Sequence, residues 1–148
     1  MTGIVRVCSF RNRKEHPLPV FVIFPSQNPN GVVMKIISLS QVEMNEVRMD
    51  GAHKSWKQVP LSREDGTPLY SYRVFTVEPG GYTPYHQHPY EHMNYVIEGS
   101  GALVNEKGEE QPLKAGDFAL VDPDEKHQYR NKGEVPFKMI CGVPKEFE

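Results

Sequence analysis

Hydrophobic and polar positions alternate in short bursts along most of this chain, and turn residues punctuate them. Leu69 to Val77 is rich in β-branched and aromatic residues, and Glu78-Pro79-Gly80-Gly81 is expected to break it. Met93–Ile97 continues a strand that begins in a histidine-rich stretch and ends at the tight turn Glu98-Gly99-Ser100-Gly101. Ala102–Asn105 and Glu110–Leu113 flank Asn105-Glu106-Lys107-Gly108 as a hairpin. Lys114-Ala115-Gly116-Asp117 turns, Phe118–Val121 is a strand, and Asp122-Pro123-Asp124-Glu125 turns again. His127–Arg130 and Pro136–Val143 complete the series. About eight short strands without an amphipathic helix between them predict an all-β antiparallel sandwich or barrel over 69–143. Residues 144–148 read as a tail.

Residues 34–68 read as lead-in strands. A short strand is expected at Lys35–Ser38, and the Ser40…Glu43 spacing suits one capped helical turn. Trp56 and Val59 suggest a further strand before the turn Glu64-Asp65-Gly66-Thr67. Residues 1–33 look different, with one candidate strand at Val20–Phe24 and a loop-like Ser26–Gly31. They are expected to be an N-terminal extension, or a segment upstream of a true start at Met34. An extra edge strand is the alternative.

With 148 residues the chain suits one domain, and a formal charge of −2 offers no basic footprint for nucleic acid. No apolar run is long enough to span a membrane, so no membrane partner is expected. The run Leu18–Phe24 after Arg11, Arg13 and Lys14 contains a proline and lacks small residues at a cleavage site, which argues against a signal peptide. Cys8 and Cys141 make neither a disulfide framework nor a CxxC pair, which points to a reducing, cytoplasmic setting.

The chemistry concentrates in Gly80-Gly81-Tyr82-Thr83-Pro84-Tyr85-His86-Gln87-His88-Pro89-Tyr90-Glu91-His92. On a strand His86 and His88 share a face, and His92 keeps that parity if the chain bends at Pro89 and resumes. Glu91 would point away. Three imidazoles on one face are nitrogen ligands for a divalent transition metal, and His127, on another strand, is the candidate fourth. Glu91, Gln87 or backbone carbonyls could hold the second ring nitrogens. Asn94 shares the inward parity of His92, and Arg73 could clamp a carboxylate if it faces the cavity, although a solvated strand residue is the commoner fate. Met93, Met139 and Cys141 read as strand or core filler. A surface histidine cluster without metal would account for 86–92 but leaves His127 unexplained.

These residues resemble the two motifs of the cupins, small jelly-roll barrels. Gly80, His86, His88 and Gly99 stand at the first motif's offsets, with His92 where a glutamate is usual. Gly116, His127 and Asn131 stand at those of the second, with Asp122 and Asp124 in its proline and glycine slots. Pro123 is expected to supply the turn one place later. The resemblance implies a single-domain cupin jelly-roll with an all-histidine site on His86, His88, His92 and His127, holding one divalent ion. By resemblance that ion is Mn or Fe, while imidazole chemistry also suits Ni, Cu and Zn. Four neutral ligands leave the full double charge, which favours an anionic small molecule. The expected function is a metal-centred enzyme acting on a small organic acid or related oxygen-rich metabolite, of dioxygenase, decarboxylase or isomerase/lyase type. A non-catalytic binding or sensing module is the rival, and the resemblance implies a homodimer.

Overall fold

The structure, a computed structural model, describes residues 34–148. The expectations placed on residues 1–33, including the strand at Val20–Phe24, lie outside the described residues. Nine strands form an antiparallel sheet: β1 (Asn45–Glu46), β2 (His53–Leu61), β3 (Tyr70–Tyr82), β4 (His92–Glu98), β5 (Ser100–Val104), β6 (Glu110–Lys114), β7 (Phe118–Val121), β8 (Gln128–Asn131) and β9 (Phe137–Pro144). Their order is β6-β5-β8-β3-β9-β4-β7, with β2 on β3 and β1 on β2. The fold is all-β and antiparallel, as the strand pattern predicts, and its sheet curls into the jelly-roll that the motif resemblance implies.

β3 holds the two halves together. Its first part pairs with β9 from Tyr70↔Pro144 to Val77↔Phe137, and its end pairs with β8 at Tyr82↔Arg130. The sequence predicts a break at Glu78–Gly81, whereas the strand bends there and continues. The cause is local. Gly80 takes φ 73, and a Cβ on Gly81 would lie 2.7 Å from the Lys54 carbonyl oxygen. Four residues of β3 thus pass opposite one of β2, between Ser55↔Val77 and His53↔Tyr82. This bulge swings the chain from one sheet half into the other.

Two expectations near residue 40 are corrected. Residues 34–38 form no strand, and the helical turn is a 3-10 turn at Leu39–Gln41 capped by Ser38 rather than Ser40. Ser38 faces Gln41 at the spacing a capping box needs, whereas Gln58 on β2 binds the Leu39 and Val42 carbonyls and fixes where the turn ends.

The sheet is not confined to residues 69–143, because β2 pairs with β3 along most of its length. Inward residues of the strands meet in one core of Val77, Val96, Val121, Tyr129, Phe137 and Met139, flanked by Phe75, Leu103 and Leu113. Each such side chain contributes about 1.5–3 kcal/mol when fully buried. Phe75, Tyr129 and Met139 belong both to this core and to the wall of a cavity of about 500 Å³. The site is therefore built on the core itself. Among the described residues no helix is long and apolar enough to cross a membrane.

Candidate metal centre

The two histidine stretches are clamped backbone to backbone. His86 N–H donates to the His127 carbonyl at 3.1 Å and His127 N–H donates to that of His86 at 2.9 Å. Thr83 N–H reaches the Tyr129 carbonyl, Tyr129 N–H reaches Thr83 Oγ1, and Asp124 N–H reaches the His88 carbonyl. Residues 83–91 are thus not the regular strand expected for the histidine stretch, since only His86 makes a bridge. Pro84 and Pro89 lack a ladder donor, so the segment is held by these cross-bonds instead. Below it, Asn131 Nδ2 donates to the Val77 and Val135 carbonyls. The turn Asp122–Glu125 closes with Glu125 N–H on the Asp122 carbonyl, Pro123 second and Asp124 at φ 64. Asp124 thereby adopts the left-handed conformation that its motif slot requires, one of the few non-glycine residues suited to it.

His86, His88 and His127 converge, with one ring nitrogen from each within 4.8 Å of the others. Their Nδ1 atoms sit 3.0, 2.7 and 2.8 Å from the carbonyls of Pro84, Tyr90 and Glu125. A carbonyl only accepts, so each Nδ1 carries the proton and each Nε2 keeps a lone pair. Nε2 of His88 and of His127 is buried without a hydrogen-bond partner. Burial, ahead of its other causes, lowers the pKa of His88 and takes that of His127 to about 4, so both are neutral near pH 7. Backbone carbonyls, not Gln87 or Glu91, fix the tautomers. Glu91 instead accepts from the Tyr70 hydroxyl and does not line the cavity.

His92 lies beside this trio but is oriented differently. Its ring centroid is 4.2 Å from that of His88 and 5.2 Å from that of His127. Its Nε2, however, is 3.0 Å from Arg73 Nη2. A guanidinium only donates, so His92 Nε2 accepts and the protonated Nδ1 is left buried without a partner. Burial first, and the Arg73 charge second, hold the His92 pKa down at about 2.

Arg73 is not a solvated strand residue. It is 7% exposed and faces the cavity. Its Nη2 also reaches Cys141 Sγ at 3.2 Å, and its Nε has no hydrogen-bond partner. Cys141, read from the sequence as filler, thus lines the site, with its thiol pKa raised by burial. Asn94, 3% exposed, donates Nδ2 to the Tyr129 hydroxyl at 2.6 Å and leaves Oδ1 unpartnered. Burial raises the Tyr129 pKa, so that residue stays a phenol.

Residues outside the recognised motifs complete the cavity. Lys57 of β2 and the segment 45–49 line one wall. Phe147 stacks on Tyr90 at 4.2 Å, and Glu148 binds Ser71 Oγ and the Arg63 N–H. Lys57 was detectable only as one polar position in a strand centred on Trp56. The last residues carry no sequence signal at all.

Residues 73–143, just under half of the chain, match the family described as Cupin domain. This stretch is a cupin domain. The chain is 26% identical over 100 residues to L-ectoine synthase from Mycolicibacterium gilvum, covering 67% of this chain and 75% of that protein. It is 29% identical over 65 residues to gentisate 1,2 dioxygenase 1 from Aquipseudomonas alcaligenes, covering 44% of this chain and 19% of that one. The polyketide cyclase RemF from Streptomyces resistomycificus superposes with a TM-score of 0.71 at 27% identity, over 76% of this chain and 80% of its own. Cupins bind metals or small molecules, and three histidines of this domain lie close enough together to hold an ion.

Proposed function

We propose that this cupin holds one divalent transition-metal ion, Mn or Fe in the first place, and is an enzyme acting on a small anionic organic molecule. The observation that carries the reading is the convergence of three tautomer-fixed imidazoles with free Nε2 lone pairs. A buried nitrogen without a partner costs about 1–3 kcal/mol, and coordination would remove that cost. The donor set therefore fits the ion. His86, His88 and His127 would hold it, with His92 as fourth ligand once its Nε2 is released from Arg73. When bound, the ion supplies Lewis-acid or redox chemistry at oxygen atoms of the ligand.

The chain's own residues do the rest. Arg73, buried and without a carboxylate partner among the described residues, binds and orients an acid group. An anion accepting from Arg73 also competes with His92 for that guanidinium, which couples ligand binding to the fourth imidazole. Asn94 offers the unpartnered end of its amide to a donor on the ligand. Phe75, Met139, Tyr90 and Phe147 exclude water around the reacting group. Dioxygenase, decarboxylase and isomerase or lyase outcomes all fit this arrangement. Similarity to an ectoine synthase, a gentisate dioxygenase and a polyketide cyclase supports an enzyme without choosing among them.

Oxygen uptake and product analysis with Mn- or Fe-loaded protein across a panel of small carboxylates test the reading. Turnover of one acid class is expected. Tight binding of an acid that returns unchanged would instead make the protein a binding or sensing module. We further infer a homodimer through the outer face at edge strand β7, where Phe118 and Leu120 are 80% and 63% exposed.

A further inference from the structure

The cavity carries a second cation beside Arg73. Lys57 on β2 stands directly across from Phe75 on β3, and Arg73 is two residues along from Phe75, so all three share one sheet face. Arg73 Cζ lies 5.3 Å from the Phe75 ring centroid, over that ring. Diagonal neighbours of this kind have backbones about 7–8 Å apart, within reach of the two ends of one small ligand. Burial, then the nearby Arg73 charge, lower the Lys57 pKa, so the two cations destabilise one another as they stand.

Among the described residues, the cavity's acids do not offset this charge by direct contact. Glu148 is within electrostatic reach of Lys57, but its carboxylate is taken by Ser71 Oγ, the Arg63 N–H and, at 3.6 Å, Arg63 Nε. Glu46 pairs with Arg48 at 3.6 Å. Neither is hydrogen-bonded to Lys57 or Arg73. A nine-tenths-buried guanidinium with an orphan Nε, a half-buried ammonium and about 500 Å³ of space together describe a receptor for two negative groups.

We propose that Arg73 and Lys57 form a two-point anion subsite, and that the ligand of this cavity is a short dicarboxylate. One carboxylate lies on Arg73 beside the imidazoles and the other on Lys57, with the ligand's carbon chain over Phe75. This rests on the reading of the cavity as a site for a small organic acid, and names which acids.

Calorimetry on the full-length protein as purified tests it, with metal content measured on every sample. The probes are succinate and succinamate, which have the same length but one charge fewer in the second. Succinate is expected to bind at least about tenfold more tightly, a difference of about 1.4 kcal/mol. Lys57→Met should reduce that ratio to within about twofold without weakening succinamate, and Lys57→Arg should keep it. Equal binding of the two probes by the wild type overturns the proposal. So does a Lys57→Met protein that keeps the preference, since chelation of the ion alone would then explain it. A metal-free sample that still prefers succinate supports the subsite and shows that it works without the ion. A protein that keeps the preference but takes up no Mn or Fe when either is supplied would sink the metal-enzyme reading and leave the subsite standing.

Discussion

At the scale of the residue, the histidines divide by what each ring nitrogen touches. His86, His88 and His127 are prepared by main-chain carbonyls two residues away in sequence, a device that needs no second side chain. His92 is prepared by Arg73. Sequence parity put His92 and Asn94 on one inward face, and both are buried on β4, whereas Met93, read as filler, is exposed. It could not show that Arg73 lies on the same cavity wall, because that depends on β3 and β9 lying side by side with β4. The buried rings also have a pH signature. His92 and His127 have folded pKa values near 2 and 4, below the ordinary 6.5, so the unfolded chain takes up their protons first. Stability from this source is therefore complete above about pH 6.5 and is lost as pH falls, down to about 4 for His127 and about 2 for His92. Metal-free protein should lose about 2 kcal/mol per pH unit between pH 6 and 4.5 in urea titrations. A flat profile there would mean that the rings are solvated.

At the scale of the element, strand positions were largely legible from alternation and turn residues, and the exceptions share one cause. β3 runs through Glu78–Gly81 because glycines there permit a bulge against β2, a tertiary event that turn propensity reads as an end. The histidine stretch leaves strand geometry because two prolines remove ladder donors while β8 supplies cross-bonds. β7 presents a different case. Its alternation places Val121 in the core and Phe118 and Leu120 outside, so the pattern predicts burial on both faces although only one is covered among the described residues. The homodimer proposed above would cover that face. Leu120→Lys is expected to convert a dimer to a monomer in light scattering with the metal content unchanged. A wild type that is monomeric at micromolar concentration contradicts the pairing.

At the scale of the whole molecule, the cavity is a by-product of how the sheet curls. Motif residues from β4 and the loops before β4 and β8 meet side chains from β2, β3 and β9 around one space, and the core below them fixes their positions. The two motifs made the histidine cluster readable, since their spacing is local. Lys57, Phe147 and Glu148 were not readable, because only the folded sheet brings β2 and the last residues to that wall. In the proposed centre one ion is held by three prepared imidazoles with a fourth beside them. The most direct measurement is metal affinity, by competition with a chromogenic chelator, for wild type, His127→Ala and His92→Ala. One equivalent is expected to bind to the wild type, with a loss of about a hundredfold or more for His127→Ala and a smaller loss for His92→Ala, whose Nε2 must first leave Arg73. Substoichiometric metal in the wild type, or unchanged affinity in His127→Ala, would contradict it.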